Sequence, residues 1–219
     1  MQAIHYKVVE IFDSIEGEGK RAGLPASFIR LAGCNLRCSY CDTDYALEET
    51  SPSTLMTIEE IKTLLNRRRF FRVTITGGEP LLTQNINELI TALSCCEINI
   101  ETNGSINITP YLNHQNLFFT IDYKLPSSGE TSKMLTENYN KLRQKDVLKF
   151  VVGRESDIPH MVKIIENLKS NPQIYIGTVY QKYPLQALVN HMLSIPALQN
   201  ANLQLQFHKI IWPAAKRGV

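Results

Sequence analysis

Long hydrophobic runs are missing from this 219-residue sequence. No stretch approaches the roughly 20 apolar residues that cross a bilayer. Residues 1–7 also lack the basic, apolar and small-residue order of a secretory signal. We therefore expect a cytoplasmic protein that does not associate with membranes. In that reducing compartment, cysteine side chains remain thiols.

Cysteine and net charge are also in short supply. Five cysteines, a small and odd number for this length, do not suggest a disulfide scaffold. The chain has 23 lysines and arginines against 21 aspartates and glutamates, and this near-balance argues against a dedicated nucleic-acid binder. With 43% hydrophobic and 20% charged residues, it is neither a disordered chain nor a coiled coil. We expect one domain over residues 1–219.

Short apolar runs alternate with amphipathic stretches along the chain. The pattern predicts strands over residues 26–31, 72–76, 97–101, 117–121, 147–152, 173–179 and 202–207. It predicts helices over 57–65, 87–93, 157–169 and 185–193, with Thr57 and Glu60 as a capping box on the first and Ser156 or Asp157 capping the third. Such alternation forms a parallel sheet, here of about six βα units. Because a closed eight-unit barrel typically takes about 250 residues, we predict an α/β fold with an incomplete (βα)6-type barrel.

Three of the five cysteines closely follow a predicted strand. Cys34, Cys38 and Cys41 have the spacing C-x3-C-x2-C in a polar loop after the strand that ends at Leu31. In parallel α/β folds, functional residues gather at the carboxyl ends of strands. The loop could hold unrelated buried thiols, or a structural zinc ion if a fourth ligand were suitably spaced. It could also hold an iron–sulfur cluster with one iron left open, since such clusters normally take four cysteines.

Cys95 and Cys96 are adjacent in sequence and follow a predicted helix. They precede the next predicted strand, which places them at the amino-end side of the sheet. We interpret this pair as packing at the helix end, away from the expected site.

The cysteine loop resembles the hallmark of the radical S-adenosylmethionine (SAM) superfamily, in which an aromatic residue, here Tyr40, precedes the third cysteine. Segments 76–80 (Thr-Gly-Gly-Glu-Pro) and 101–104 (Glu-Thr-Asn-Gly) match two further superfamily motifs, each after a predicted strand. The resemblance implies a radical SAM partial barrel with a [4Fe-4S] cluster whose open iron binds SAM. One electron then cleaves SAM, and the 5′-deoxyadenosyl radical abstracts a hydrogen atom from the substrate. The implied SAM contacts are Tyr40, Cys41, Asp42, Gly78, Glu79, Glu101, Asn103, Asp122, Tyr123 and Lys124.

The N-terminal segment 10–19 is, by itself, an acidic glycine-containing loop. Together with segments 25–36, 41–43, 122–129, 206–209 and 217–219, it resembles the 7-carboxy-7-deazaguanine synthase family of the queuosine and 7-deazapurine pathways. The resemblance implies a lyase that contracts the ring of 6-carboxy-5,6,7,8-tetrahydropterin, releases ammonia and regenerates SAM. It also implies Mg²⁺ near the substrate carboxylate, with Thr43 as a hard-oxygen ligand and Asp42 as the rival ligand.

Substrate contacts follow from the same resemblance, at Ile15, Glu16, Gly17, Arg30, Thr76 and His208. A carboxylate in the N-terminal loop can accept hydrogen bonds from the guanine-like edge of a pterin, and the Arg30 guanidinium can bind the substrate carboxylate. The chain departs from the family where Asp122-Tyr123-Lys124 stands in place of Ser-Pro-Lys. We also expect a flavodoxin or ferredoxin as electron donor. A homodimer is expected because a partial barrel leaves sheet edges to cover.

Two other functions are compatible with the cysteine spacing. A glycyl-radical activase is also small, but it needs a surface for a large protein partner, and the Glu-Gly-Glu-Gly loop with its accompanying segments argues against it. A metal-binding or electron-transfer module would use the three cysteines but leave segment 77–80 and the βα units unexplained.

Overall fold

A computed structural model describes residues 3–68, 71–213 and 216–219. Its strands are His5–Ile15 (β1), Pro25–Leu31 (β2), Thr54–Thr57 (β3), Arg72–Gly77 (β4), Glu97–Thr102 (β5), Leu117–Tyr123 (β6), Val147–Val152 (β7), Gln173–Thr178 (β8) and Asn202–Leu203 (β9). Its helices are Ile58–Arg68 (α1), Ile86–Ala92 (α2), Thr136–Tyr139 (α3), Asp157–Glu166 (α4), Leu185–Ser194 (α5) and Phe207–Ile211 (α6).

The strands form one sheet in the order β3-β1-β2-β4-β5-β6-β7-β8-β9. From β2 to β9 all neighbours are parallel, whereas β1 is antiparallel to both β2 and β3. In the described part of the chain β3 and β9 do not pair with each other, so the sheet stays open. The predicted α/β fold with an incomplete barrel is confirmed.

Residues 10–19 were predicted as a loop, and that prediction was wrong for residues 10–15, which belong to strand β1. The strand continues to Ile15 and pairs with β2 along most of its length. Its acidic side chains are compatible with a strand because β2 supplies partners: Ser27 donates to Asp13 Oδ1 at 2.7 Å, and Arg30 Nε lies 2.7 Å from Glu10 Oε1. The short strand β3 was not predicted either.

The last predicted strand, 202–207, was largely wrong. Only Asn202–Leu203 pairs with β8. The backbone N–H of Phe207 donates to the Gly17 carbonyl at 3.1 Å, which turns the chain toward the N-terminal loop, and α6 begins there. His208 therefore lies on a short helix rather than directly after a strand.

Helix ends follow the capping rules in part. Thr57 and Glu60 form the predicted capping box, with Thr57 N donating to Glu60 Oε2 at 2.8 Å and Glu60 N to Thr57 Oγ1 at 3.3 Å. At α4, Ser156 makes no side-chain cap, whereas Asp157 accepts from Gly153 N at 2.8 Å. Helix α4 ends at Glu166, three residues before the predicted end. Among the described residues, no helix combines the length and apolar character that crossing a membrane requires.

The two faces of the sheet differ in polarity. Successive side chains of a strand point to opposite faces. In β6, Phe119 and Ile121 join the apolar core, whereas Thr120 and Asp122 line a cavity on the other face. Lys149 and Val151 of β7 line the same cavity. The inner face of the open barrel therefore carries polar and charged side chains and surrounds the site.

Candidate active site

A cavity of about 480 Å³ opens at the carboxyl ends of the parallel strands. It brings together most of the residues proposed from the sequence, although they come from distant segments. These are Ile15, Gly17, Arg30, Cys34, Cys38, Tyr40, Cys41, Asp42, Thr43, Thr76, Gly78, Glu101, Asn103, Asp122, Lys124 and His208. Glu16, Glu79 and Tyr123 were also proposed, but they do not line this cavity.

The cysteine loop begins where β2 ends. Two backbone bonds fix its start: Gly33 N donates to the Ala46 carbonyl and Cys34 N to the Leu47 carbonyl, both at 2.8 Å. Cys34, Cys38 and Cys41 are half-buried free thiols that face the cavity. No group of three potential ligands in the described residues is close enough to hold a single metal ion. A cluster makes a different demand, because each thiolate binds a different iron and the sulfurs must stand farther apart.

The surroundings of the thiols suit a cluster. Leu36 N lies 3.4 Å from Cys34 Sγ, and the Asn103 side-chain amide lies 3.8 Å from the same sulfur. Burial raises the pKa of Cys38 to about 11, although Lys124 opposes this shift. Because thiolates are the ligands, cluster binding must release these protons. The three cysteines thus fit a [4Fe-4S] cluster bound through three irons.

The Arg37 side chain stabilises the conformation of the cysteine loop by bonding to the loop's own backbone. Its Nη1 donates to the carbonyls of Cys34 and Leu36, both at 2.8 Å, and its Nη2 lies 2.6 Å from Glu48 Oε1. Its backbone N–H donates to Glu130 Oε1 at 2.9 Å. The loop conformation is therefore set by protein contacts.

The remaining cysteines lie elsewhere. Cys95 and Cys96 stand in the turn between α2 and β5, with their sulfurs 3.9 Å apart. This is the amino-end side of the sheet, where the sequence placed them. Neither lines the cavity.

Glycines at the end of β4 allow close packing of the chain. A Cβ on Gly77 would lie 2.1 Å from the Leu31 carbonyl oxygen, and one on Gly78 would lie 2.2 Å from the Gly33 carbonyl oxygen. Gly77 also has φ +143°. Only glycine fits at these two positions, which keeps the end of β4 against the start of the cysteine loop.

Glu79 is directed away from the cavity. It is 1% exposed, and its carboxylate accepts from Leu81 N at 2.9 Å, Thr102 Oγ1 at 2.8 Å and Asn103 N at 2.7 Å. The side chain thereby ties the end of β4 to the end of β5. A contact between its carboxylate and SAM stays a prediction that this geometry does not support.

Glu101 and Asn103 reach the cavity from the end of β5. Burial raises the pKa of Glu101 to about 7, and the charge of Glu16 adds to this shift while Lys149 opposes it. The Glu101 carboxyl can therefore hold or release a proton near neutral pH.

Successive side chains at the end of β6 point to opposite faces of the sheet. Asp122 Oδ2 lies 3.1 Å from Lys124 Nζ and 3.4 Å from Lys149 Nζ. Tyr123 points to the opposite face, where it packs against Tyr139 and its hydroxyl lies 3.1 Å from His160 Nε2. Strand alternation thus places the Tyr123 side chain in the core, away from the cavity, and a SAM contact through the Tyr123 backbone stays a prediction.

Two buried polar atoms at the cavity have no hydrogen-bond partner among the described residues: Tyr40 Oη and Asp122 Oδ1. Buried polar groups are rarely left unpaired. A ligand with hydroxyl or ammonium donors, as SAM has, would satisfy the carboxylate oxygen. This observation fits a SAM site beside Cys38 and Cys41.

The predicted substrate residues separate into two groups. Arg30, Thr76 and His208 all face the cavity, and burial lowers the pKa of His208. Gly17 also faces it and packs so closely on His208 that a Cβ would lie 2.4 Å from the ring Nδ1. Glu16, by contrast, is 1% exposed and bound to Arg21.

Several lining residues were given no role from the sequence: Glu18, Lys149, Lys209, Arg217 and Val219. All of them except Lys149 lie in segments that carry the family resemblance. Lys149 had a signal: it is the one charged residue in the strand Val147–Val152, which is otherwise apolar. The tail residues reach the site only because the chain returns across it, with the Arg217 guanidinium 3.9 Å from the Tyr45 ring.

An open parallel barrel with three cysteines at the carboxyl end of its first parallel strand defines a radical SAM enzyme. Consistent with this, residues 28–114 match the Radical SAM superfamily. The chain belongs to the 7-carboxy-7-deazaguanine synthase family. It is 45% identical to a 7-carboxy-7-deazaguanine synthase of Clostridium acetobutylicum, over 99% of this chain and 100% of that protein. It is 36% identical to one from Methanospirillum hungatei, over 96% of this chain and 87% of that protein.

A solved structure supports the fold. The crystal structure of QueE from Escherichia coli superposes with a TM-score of 0.72 and covers 91% of this chain and 92% of that one, at 23% sequence identity. Similarity at this level of identity shows that the fold is shared.

Proposed function

We propose that this protein converts 6-carboxy-5,6,7,8-tetrahydropterin to 7-carboxy-7-deazaguanine with loss of ammonia. The observation that carries the proposal is the full-length relationship to synthases of that name, combined with one cavity that joins the cysteine loop to the N-terminal loop. A bound [4Fe-4S] cluster and SAM supply the radical that abstracts hydrogen from the substrate. Cys34, Cys38 and Cys41 would hold the cluster.

The chain's own residues bind and orient the two small molecules. Asp122 and Lys124 form an ion pair at the wall of the SAM side, near the unpartnered Tyr40 hydroxyl. On the other side, Arg30 is largely buried and held by Glu10, so its guanidinium is positioned for a substrate carboxylate. Ile15 and Thr76 line the same cavity.

Thr43 is the proposed Mg²⁺ ligand. Its hydroxyl donates to Asp42 Oδ1 at 3.1 Å, which leaves the oxygen lone pairs free for a cation. Asp42 Oδ2 is 3.0 Å from Lys209 Nζ, so the aspartate is already paired. This arrangement favours Thr43 over Asp42 as the ligand. A Thr43→Val variant should need more Mg²⁺ for half-maximal activity, and an unchanged Mg²⁺ dependence would refute the assignment.

Three further features are proposed with the function: a cytoplasmic location, reduction by a flavodoxin or ferredoxin, and a homodimer that covers the open sheet edges at β3 and β9. The edges are the structural reason for the dimer, since Leu55 on β3 and Leu203 on β9 are exposed. Light scattering that finds only monomer would refute the dimer.

The test of the function is direct. Protein reconstituted anaerobically with iron and sulfide is mixed with SAM, Mg²⁺, dithionite and the carboxytetrahydropterin. We expect a deazapurine absorbance with the mass of 7-carboxy-7-deazaguanine, equimolar ammonia, and SAM largely unconsumed. Absence of the deazapurine, with a glycyl radical formed in a partner protein instead, would contradict the proposal.

A further inference from the structure

Two glutamates of the N-terminal loop, Glu16 and Glu18, differ in what they face. The Glu16 carboxylate lies 2.5 Å from Arg21 Nη2 and also accepts a hydrogen bond from the Thr74 hydroxyl. Arg21 is 4% exposed and reaches the Glu97 carbonyl at 3.1 Å, at the amino end of β5. Glu16 is therefore part of a buried ion pair beneath the cavity.

Glu18 lies in the cavity itself. Its Oε2 accepts from Lys149 Nζ at 2.7 Å, whereas no hydrogen bond from the described residues reaches Oε1. The next residue fixes the turn: Gly19 has φ +70° and its N–H lies 2.6 Å from Gln204 Oε1. Glu18 thus presents a positioned carboxylate with open lone pairs.

Lys149 compensates the negative charge of Glu18 in the wall of the cavity. It is 8% exposed in the middle of β7, and it also lies 3.4 Å from Asp122 Oδ2. The ammonium neutralises Glu18 and fixes one of its oxygens. Each carboxylate oxygen has two acceptor sites, so Oε2 can accept from a ligand in addition to Lys149.

We propose that Glu18, positioned by Lys149, is the residue that selects a 2-amino-4-oxo heterocycle as substrate; this inference rests on the proposed function. Such a ring presents two adjacent N–H donors, at N3 and at the exocyclic amino group, and a carboxylate accepts both in parallel. A 2,4-dioxo ring presents an oxygen in place of the amino group, which the carboxylate repels. The site therefore disfavours the dioxo ring, because one carboxylate oxygen of Glu18 would face an oxygen of the ring in place of a donor.

The experiment compares two ligand pairs on three proteins. Wild type, Glu18→Gln and Glu16→Gln are titrated, in the presence of SAM, with fluorescent 6-carboxypterin and its 2,4-dioxo counterpart 6-carboxylumazine. The reduced forms of both are then assayed for turnover. In wild type we expect the amino compound to be preferred by about 100-fold or more. Glu18→Gln should lower that preference at least about tenfold, because an amide offers one donor and one acceptor and so matches the dioxo edge.

Glu16→Gln is the matched control, since it makes the same chemical change two residues away. It should lower thermal stability and leave the amino-to-dioxo ratio as in wild type. The inference is overturned if Glu18→Gln keeps the wild-type ratio, or if Glu16→Gln alone changes it. If Glu18→Gln does not fold, Glu18→Ala provides the test instead, because its preference for the amino over the dioxo compound must also fall. If wild type neither binds nor converts the pterin, the proposed function itself fails.

Discussion

Lys209 Nζ lies 3.0 Å from Asp42 Oδ2 and joins helix α6 to the residue directly after the third cysteine. Asp42 in turn accepts the hydroxyl of Thr43 at 3.1 Å. Burial alone would raise the pKa of Asp42, but Lys209 holds it at about 2, so the pair stays charged at neutral pH. One ion pair therefore links the cluster side of the cavity to the segment that carries His208.

Loss of this ion pair should make local opening of α6 more frequent while changing the stability of the whole fold only a little. The Asp42 side chain is 54% exposed, so the pair contributes no more than about 1 kcal/mol. For Lys209→Met we expect a small change in Tm, faster amide exchange over residues 207–211, and a higher KM for the pterin. Lys62→Met, on the surface helix α1, is the control. Exchange in α6 as slow as in wild type would contradict this role.

Gly78→Ala should abolish SAM binding. The added Cβ would lie 2.2 Å from the Gly33 carbonyl oxygen, so the end of β4 must move away from the cysteine loop. We expect a destabilisation of about 2 kcal/mol or more, together with loss of SAM affinity in equilibrium dialysis. Gly129→Ala is a useful comparison, since a Cβ there meets nothing within 4 Å and only its φ of +82° is unfavourable. Its cost should be about 1 kcal/mol with SAM affinity retained.

Arg37 should determine how firmly the cysteine loop holds a cluster. Arg37→Gln removes the Nη1 donor that binds the carbonyls of Cys34 and Leu36, whereas Glu48→Gln loses only the partly exposed ion pair. We expect faster release of iron to a chelator and faster amide exchange over residues 34–41 in Arg37→Gln, and near wild-type values in Glu48→Gln. Equal effects from the two variants would show that the carbonyl bonds do not matter.

Glu101 should make stability depend on pH. Its folded pKa of about 7 lies above its ordinary value of 4.5, because burial and the charge of Glu16 disfavour the carboxylate. Between these pH values the folded protein holds a proton that the unfolded chain has released, so the free energy of unfolding falls as pH rises. The fall is at most about 3 kcal/mol and ends above pH 7. In urea unfolding of the protein without cofactors, the free energy of unfolding should fall with pH in wild type and not in Glu101→Gln. The same pH dependence in both proteins would refute this prediction.

Much of the fold was predictable because its signals are local. The apolar strand at residues 147–152 was predicted to the residue, and the Thr57–Glu60 capping box formed as expected. The cysteine spacing and the two glycines at the end of β4 could be interpreted from the sequence because their chemistry depends on neighbouring residues. Such features need no information about distant parts of the chain.

The features that could not be predicted from the sequence depend on tertiary contacts. Glu16 and Glu18 are equivalent in sequence, and only the positions of Arg21 and Lys149 decide which one faces the cavity. The core position of the Tyr123 side chain was not predicted, because strand β6 continues two residues past its predicted end and so sets the face of that side chain. The prediction of the final strand was wrong because the Phe207 N–H donates to the carbonyl of Gly17, almost two hundred residues earlier, and this bond redirects the chain.

The central claim is that three cysteines, and not five, hold the cluster on which pterin conversion depends. The most direct measurement compares Cys38→Ala with Cys95→Ala after identical anaerobic reconstitution, by iron content, by the cluster's electron paramagnetic resonance signal with and without SAM, and by deazapurine formation. We predict that Cys38→Ala loses the SAM-dependent signal and all product, while Cys95→Ala retains iron, signal and turnover. Full SAM-dependent signal and turnover in Cys38→Ala, or their loss in Cys95→Ala, would contradict the account.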